Sequence, residues 1–331
     1  MRSRFVNGAM VLISVSMALS IVEGYFRFRG SYQPPNHSLK TAQPELYQAH
    51  LHVGYRLRPN LNTTHRYPAS SKEPVRIVSN SDGFRNSREF DERDGRPRIL
   101  VMGDSFVFGV GVHAHDRLTE QLEALEPRWR VDNMGMTGWG IDLMIRAIEH
   151  YGPKADPDII VLAIYTDDFR RVMPYYAGAG FAYQKFDLEG NELSTRPFPY
   201  PNVFERLRIV QFVYQTAWQR NRNRYDLNEA LLDRFLTNSR LIEFEPVIVF
   251  IPGKGDTQED RERRLFLEQY AKRNRVPYRD LSEVIKNAGT DKVYIPGNWH
   301  WNAAGHRIAA VELKEVLQEV VNAVVSGSGK S

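Results

Sequence analysis

Apolar and polar positions divide the chain into three stretches. The first, Phe5 to Val22, reads "FVNGAMVLISVSMALSIV", 18 residues without a charge. As a helix it is about 27 Å long, just enough for the hydrocarbon core of a bilayer. The second, residues 30 to 95, is rich in Pro, Asn, Ser and Arg, with short alternating runs and turn signals such as Asn80, Asp82 and Gly83. This pattern predicts a linker plus a small β extension that leans on the main domain, being too polar to hold a core of its own. The third, residues 96 to about 325, alternates short apolar runs with helical periodicity.

Within the third stretch, "RILVMG" reads as a strand, "HDRLTEQLEALE" as a helix and "WRVDNMG" as a second strand. "IDLMIRAIEHYG" is a helix closed by Gly152. "DIIVLAIY" is apolar without interruption, as in a parallel strand buried on both faces. Residues 169 to 202 break the rhythm, with a hairpin turning at Glu189, Gly190 and Asn191. Helices are predicted over 203–222 and 226–243. A strand "PVIVFIPG", a helix over 257–274, a strand "VPYRDL", a short helix over 282–288 and a last helix over 303–323 follow. Alternating strands and helices predict βαβ units, hence a doubly wound parallel sheet in a three-layer α/β/α sandwich. Ligands of such sheets bind at the carboxyl ends of the strands. The loops after residues 102, 133, 164 and 251, and the loop at 294–302, are therefore expected to share one rim.

Composition narrows the function. With 42% hydrophobic and 25% charged residues, the 331-residue chain is ordinary globular material, and a net charge of only +4 gives no reason to expect nucleic acid as a partner. Arg220, Arg222 and Arg224, and then Arg261, Arg263 and Arg264, lie in acid-rich helical stretches and read as solvated faces. The absence of cysteine excludes thiol chemistry, disulfides and Cys-type zinc sites. The pairs His50/His52 and His113/His115 have no companion ligands at metal spacing and read as surface residues, so no metal is expected. Gly109 and Gly111 lack the lysine of a phosphate loop, and no cofactor is expected. Arg2 and Arg4 precede the apolar run, which predicts a signal anchor over residues 1–29 with the rest of the chain outside the cytoplasm, although Arg27 and Arg29 pull the other way. The alternative is a signal peptide cleaved after the small residues Ala18 and Ser20, leaving a secreted protein.

Four rim loops carry chemistry. Gly103-Asp104-Ser105-Phe106 ends a buried strand and begins a helix, which exposes the Ser105 hydroxyl and leaves its amide unpaired. "DNMGMTGWG" places Asn133, Gly135, Gly138 and Gly140 on the next loop, where glycine lets backbone approach a ligand closely. Tyr165-Thr166-Asp167-Asp168 follows the third strand. "YIPGNWHWNAAGH" brings His300, Asn302, Gly305 and His306 into the last helix. Taken singly, each has a plain reading as a cap, a turn or a structural histidine.

Together and in this order, they resemble the SGNH hydrolases, also called the GDSL family, over about residues 97 to 320. The Gly-Asp-Ser-Phe block matches the first motif and implies Ser105 as nucleophile. Asn133-x-Gly-x-x-Gly138 matches the second and implies the Gly138 amide, beside that of Ser105, as an oxyanion donor. The third motif normally ends Asn-Asp, and its Asn is a further oxyanion donor; here Asp167 stands there, followed by Asp168. The last motif normally has an Asp two or three residues before the His; here those positions are Asn298 and Gly297. "HWNAAGH" agrees with the branch of the family that has a membrane anchor. The resemblance implies a flavodoxin-like SGNH fold, with His300 as base and Asp104, Asn133 and Asp168 in support.

Both exchanges matter physically. An ionised Asp167 repels a developing oxyanion and helps only if protonated. Asn298 can accept from His300 Nδ1–H but offers no charge to an imidazolium, and a flipped amide would impose the wrong tautomer. Asp291, nine residues before His300, is a second candidate acid. The expected function is a membrane-tethered serine esterase or acyl (acetyl) transferase, acting on a small-molecule or glycan ester outside the cytoplasm. The alternative is an impaired ligand-binding protein that uses Asp167 for recognition.

Overall fold

The computed structural model describes residues 2–29, 43–67, 74–173, 181, 183–190, 192–196, 207, 209, 224–255 and 257–328. The N-terminal run forms helix α1 (Arg2–Arg29). Its segment Val6–Phe28 is not buried by the rest of the protein, and is long and apolar enough to cross a membrane. The polar stretch that follows contains two antiparallel pairs, β1 (Tyr47–His50) with β2 (Gly54–Leu57) and β3 (Asn62–His65) with β4 (Val75–Val78).

The repeating unit then begins. β5 (Arg98–Gly103) leads into α2 (Ser105–Phe108) and α3 (Leu118–Leu125), and β6 (Arg130–Gly135) into α4 (Ile141–Ala155). β7 (Ile159–Tyr165) leads into α5 (Asp168–Arg171) and the hairpin β8 (Lys185–Glu189) with β9 (Glu192–Arg196). After α6 (Tyr225–Ile242) come β10 (Glu245–Ile251), α7 (Gln258–Asn274) and β11 (Tyr278–Asp280). Helices α8 (Ser282–Ala288), α9 (Thr290–Val293) and α10 (Ala303–Ser328) complete the chain. Apart from residues 207 and 209, the helix expected over 203–222 lies outside the described residues, as does the hairpin residue Asn191. The last helix runs five residues beyond the expected 323, to Ser328.

The main sheet has the order β11-β10-β7-β5-β6, and every neighbouring pair is parallel. This is the doubly wound, flavodoxin-like α/β sandwich. Alternation explains the two layers. Ile99 and Val101 of β5 point into the cluster made with α3 and α10, including Leu122, Leu313 and Leu317. Leu100 and Met102 point into the opposite cluster, with Ile145 and Ile148 of α4 and Leu231 and Phe235 of α6. All seven residues of β7, central in the sheet, are buried. From β5 the chain winds one way to β6 and the other way through β7 and β10, so the switch point falls between β5 and β7.

The strands β1 to β4 and the loops after them are tied closely to the domain. Leu46, Val53, Tyr55, Leu57, Ile77, Phe84 and Phe90 are fully buried and belong to the same apolar cluster as α4. Residues that are polar on average across this segment thus supply one wall of the main core.

Candidate active site

Two glycines bring α2 down onto the sheet. A Cβ at Gly135 would collide with the Phe108 backbone nitrogen, and one at Gly103 with the Val107 side chain. Only hydrogen fits at either place, so the turn that carries Ser105 lies directly over β5 and β6. Asn133 holds it there. Its Nδ2 donates to Val107 O at 2.6 Å and to Thr119 Oγ1 at 3.0 Å, while its Oδ1 accepts from Gly135 N at 3.0 Å. Asp104 caps α2, its Oδ1 accepting from Phe106 N at 2.9 Å. Gly138 adopts φ +76° between Thr137 and Trp139, in a turn closed by Trp139 N to Met136 O at 3.3 Å. Neither Ser105 N–H nor Gly138 N–H donates to a protein acceptor among the described residues.

The last loop meets this turn. His300 Nε2 lies 2.9 Å from Ser105 Oγ, and His300 Nδ1 lies 2.7 Å from Asn298 Oδ1. Asn298 Oδ1 also accepts from Trp299 N at 2.6 Å and His300 N at 3.1 Å. An amide NH₂ turned toward those two N–H groups would face donor with donor. The oxygen is therefore fixed toward His300, which places the proton on Nδ1 and leaves Nε2 free to accept from Ser105. The flip anticipated for this amide is thus opposed by the local backbone. Burial lowers the His300 pKa; Asp104 opposes that shift and Arg171 adds to it. Asp291 is exposed on α9 and makes no hydrogen bond to His300.

Beneath Ser105 lies a buried ionic group. Arg171 Nη1 is 2.7 Å from Asp104 Oδ2, 2.5 Å from Asp168 Oδ1 and 3.0 Å from Trp139 O. Asp168 Oδ2 accepts from Tyr165 N at 2.8 Å. Full burial, then the neighbouring Asp104 charge, raises the Asp168 carboxyl well above the usual range, although Arg171 opposes this. Asp167, by contrast, does not join Ser105. Its carboxylate, about one-third exposed, reaches Arg170 Nη2 at 2.7 Å and Arg263 Nη1 at 3.6 Å. The Asp167 carboxylate is thus engaged by Arg170 rather than by Ser105. Arg263 also departs from the solvated-face expectation: it is almost wholly buried and donates to Thr166 Oγ1 at 2.9 Å. Thr166, Asp167, Arg170, Arg171 and Arg263 line a cavity of about 490 Å³ that opens beside Ser105 and His300 at the switch point.

Residues 101–308 match the GDSL-like lipase/acylhydrolase family. The chain belongs to that family. The match takes in the Ser105, Gly138 and His300 loops and stops short of the N-terminal helix and the β extension. No curated protein matches the chain. Solved structures similar to this family member include a member of the lipolytic protein G-D-S-L family from Veillonella parvula DSM 2008, at 18% identity and TM-score 0.41, covering 67% of this chain and 98% of that one. A carbohydrate acetylesterase family member from Sinorhizobium meliloti is 15% identical, with TM-score 0.41 and coverage of 68% and 99%. The psychrotrophic esterase EstA from a Pseudoalteromonas species is 12% identical, with TM-score 0.45 and coverage of 68% and 99%.

This GDSL-family chain supports its site partly from outside the matched region. Arg85, fully buried, donates to Phe108 O at 3.1 Å, Gly109 O at 2.6 Å and Val112 O at 2.9 Å, and so caps the carboxyl end of α2, the helix that begins at Ser105. Burial, and then Arg117 nearby, lowers its pKa to about 9. Tyr47 Oη and Tyr55 Oη meet Thr137 Oγ1 at 2.6 Å and Thr137 O at 2.7 Å, beside Gly138. Sequence reasoning missed all three, and it missed Arg171. It also left His50 and His52 without a companion. The structure stacks the His52 ring on His150 at 4.3 Å, with His50 5.3 Å away from His150, but no group of three among the described residues is arranged to hold a metal ion.

Proposed function

We propose that this protein is a serine esterase or acyltransferase held to a membrane by α1, with Ser105 as nucleophile and His300 as base. The observation that carries the reading is the chain of contacts from Ser105 Oγ to His300 Nε2 at 2.9 Å and from His300 Nδ1 to Asn298 Oδ1 at 2.7 Å. Ser105 Oγ attacks the ester carbonyl carbon as its proton passes to His300 Nε2. The Ser105 and Gly138 amides hold the oxyanion. Collapse breaks the bond to the alcohol, which takes the proton from His300. The acyl-enzyme then passes its acyl group to water in hydrolysis or to an acceptor hydroxyl in transfer. Asn298 orients His300 without adding charge, and Asp167 stands in the cavity wall rather than in the oxyanion site. With Arg2 and Arg4 on the cytoplasmic side, the catalytic domain faces outward, where acetylated cell-envelope glycans are the natural substrate class.

The test is labelling of the full chain in detergent with a fluorophosphonate. Labelling at Ser105, lost in a folded Ser105→Ala variant, is expected. A folded wild-type protein that takes no label, or takes it at another serine, would move the reading to a ligand-binding protein built on the same fold.

A further inference from the structure

Four cationic side chains line the cavity: Arg170, Arg171, Lys254 and Arg263. Three have carboxylate partners. Arg170 pairs with Asp167 at 2.7 Å, Arg171 with Asp104 and Asp168, and Arg263 with Glu259 at 3.2 Å. The remaining acid of the wall, Asp260, is occupied in the cap of α7, its Oδ2 accepting from Thr257 N at 2.8 Å and Thr257 Oγ1 at 2.9 Å. Lys254 has no carboxylate within ion-pair distance among the described residues. Its Nζ stands 3.5 Å from Asn298 O and 5.4 Å from the centre of the Tyr294 ring. A half-buried ammonium without a counter-ion attracts an anion strongly, because the surrounding protein screens its charge less than water would.

Trp299 borders the same cavity, next to His300, and is 69% exposed. Its backbone is fixed by the bond from Trp299 N to Asn298 Oδ1 at 2.6 Å. The indole is thus a flat apolar surface on a rigid loop, and no aromatic ring stacks on it among the described residues. Lys254 and Trp299 line the same cavity as Ser105 and His300, so a ligand touching both lies in the space onto which the Ser105–His300 pair opens.

We infer that the cavity selects esters of acidic glycans: Trp299 receives the face of a sugar ring, and Lys254 receives a carboxylate on the alcohol portion of the substrate. This rests on the serine-hydrolase reading for the chemistry, but the recognition is separable from it.

The experiment uses the full chain in detergent. Ser105→Ala protein is titrated with trigalacturonate and with xylotriose as acidic and neutral probes. Trigalacturonate is expected to bind at least about tenfold more tightly, the scale of one partly screened charge pair. That advantage should shrink with added salt and disappear in Lys254→Gln, while Trp299→Ala should weaken both sugars. Equal binding of the two sugars, or an advantage that survives Lys254→Gln in a folded variant, overturns the inference.

Turnover separates this recognition from the chemistry. The active protein is compared on acetylated polygalacturonate against acetylated xylan, and on 4-nitrophenyl hydrogen succinate against 4-nitrophenyl acetate. A preference for the acidic polymer that depends on Lys254 supports the inference. A Lys254-dependent preference confined to the hydrogen succinate puts the anion on the acyl side and overturns the glycan assignment. Binding of trigalacturonate through Lys254 without turnover of any ester, and without Ser105 labelling, would refute the hydrolase reading and leave the recognition standing.

Discussion

Asn298 Oδ1 lies 2.7 Å from His300 Nδ1, and the same oxygen accepts two backbone N–H groups. Asn298 therefore sets the tautomer of His300 as an aspartate would; in the proposed mechanism it does so without a negative charge to offset the imidazolium that forms during attack. Asn298→Asp is expected to raise kcat/KM on an activated ester by about tenfold, equivalent to roughly 1.4 kcal/mol at the transition state. It should also move the pH limb. Burial lowers the His300 pKa, so the base form of the wild type persists below the usual histidine range. A carboxylate at this position favours the protonated ring and shifts the limb to higher pH. Rate profiles of both proteins from pH 5 to 9 check this. An Asn298→Asp variant no faster at any pH, beside an inactive His300→Ala, would make Asn298 a bystander.

His306 couples stability to pH. It is fully buried, and its Nδ1 accepts from Leu118 N at 3.2 Å, at the start of α3. Burial, followed by Arg117 and Arg85, holds its pKa at about 3. An unfolded histidine titrates near 6.5 (about that value in model peptides), so between these limits the unfolded chain binds one more proton than the folded one. The folded state is thus favoured above the upper limit and loses this contribution as pH falls through the window. Melting temperatures from pH 8 to pH 4 should fall, and His306→Gln should start lower but decline less steeply. Parallel curves for the two proteins would assign the acid sensitivity to other groups.

Much of this architecture is legible in the sequence because its causes are local. A parallel strand buried on both faces must be apolar, and β7 is so throughout, as are β5 after Arg98 and β10 after Glu245. Strand order then places Ser105, Gly138 and His300 on one rim. What is not legible depends on partners distant in the chain. Arg85 acts 23 to 27 residues away, on the carbonyls of Phe108, Gly109 and Val112. Nothing in its polar surroundings signals burial. Arg263 sits in an acid-rich helix whose pattern is that of a solvated face, and its inward turn is decided by Thr166 across the cavity. Asp167 could be placed in the right loop, but whether its carboxylate faces Ser105 or Arg170 is a matter of side-chain direction that motif spacing does not encode.

The N-terminal helix makes a separate prediction. Val6–Phe28 spans about 35 Å at 1.5 Å per residue, and none of it is buried against the domain. An uncleaved anchor with Arg2 and Arg4 inside is expected. Mass spectrometry of protein extracted from membranes should find an N-terminus ahead of Phe5, and protease added to intact spheroplasts should remove the catalytic domain. A mature N-terminus near Ile21 would show a cleaved signal instead.

Arg171 Nη1 touches three motif loops at once: Asp104 after β5, Trp139 after β6 beside Gly138, and Asp168 after β7. Its backbone is held in turn, with Lys185 Nζ donating to Arg171 O at 3.1 Å. Two consequences separate. Arg171→Ala leaves Asp104 and Asp168 buried together without their cation, and should cost about 3–5 kcal/mol of stability. Arg171→Lys keeps the charge but replaces a planar, multidentate donor by a point charge that cannot hold all three acceptors in the same places. The lysine variant should therefore fold with a melting temperature much closer to wild type while kcat falls by about ten- to a hundredfold, as Ser105 and Gly138, the proposed nucleophile and oxyanion donor, lose their mutual register. Melting curves and steady-state kinetics on 4-nitrophenyl acetate, measured on both variants, distinguish the two effects. A lysine variant with wild-type kcat would show that the three loops keep their alignment through Asn133, Arg85 and the glycine contacts alone.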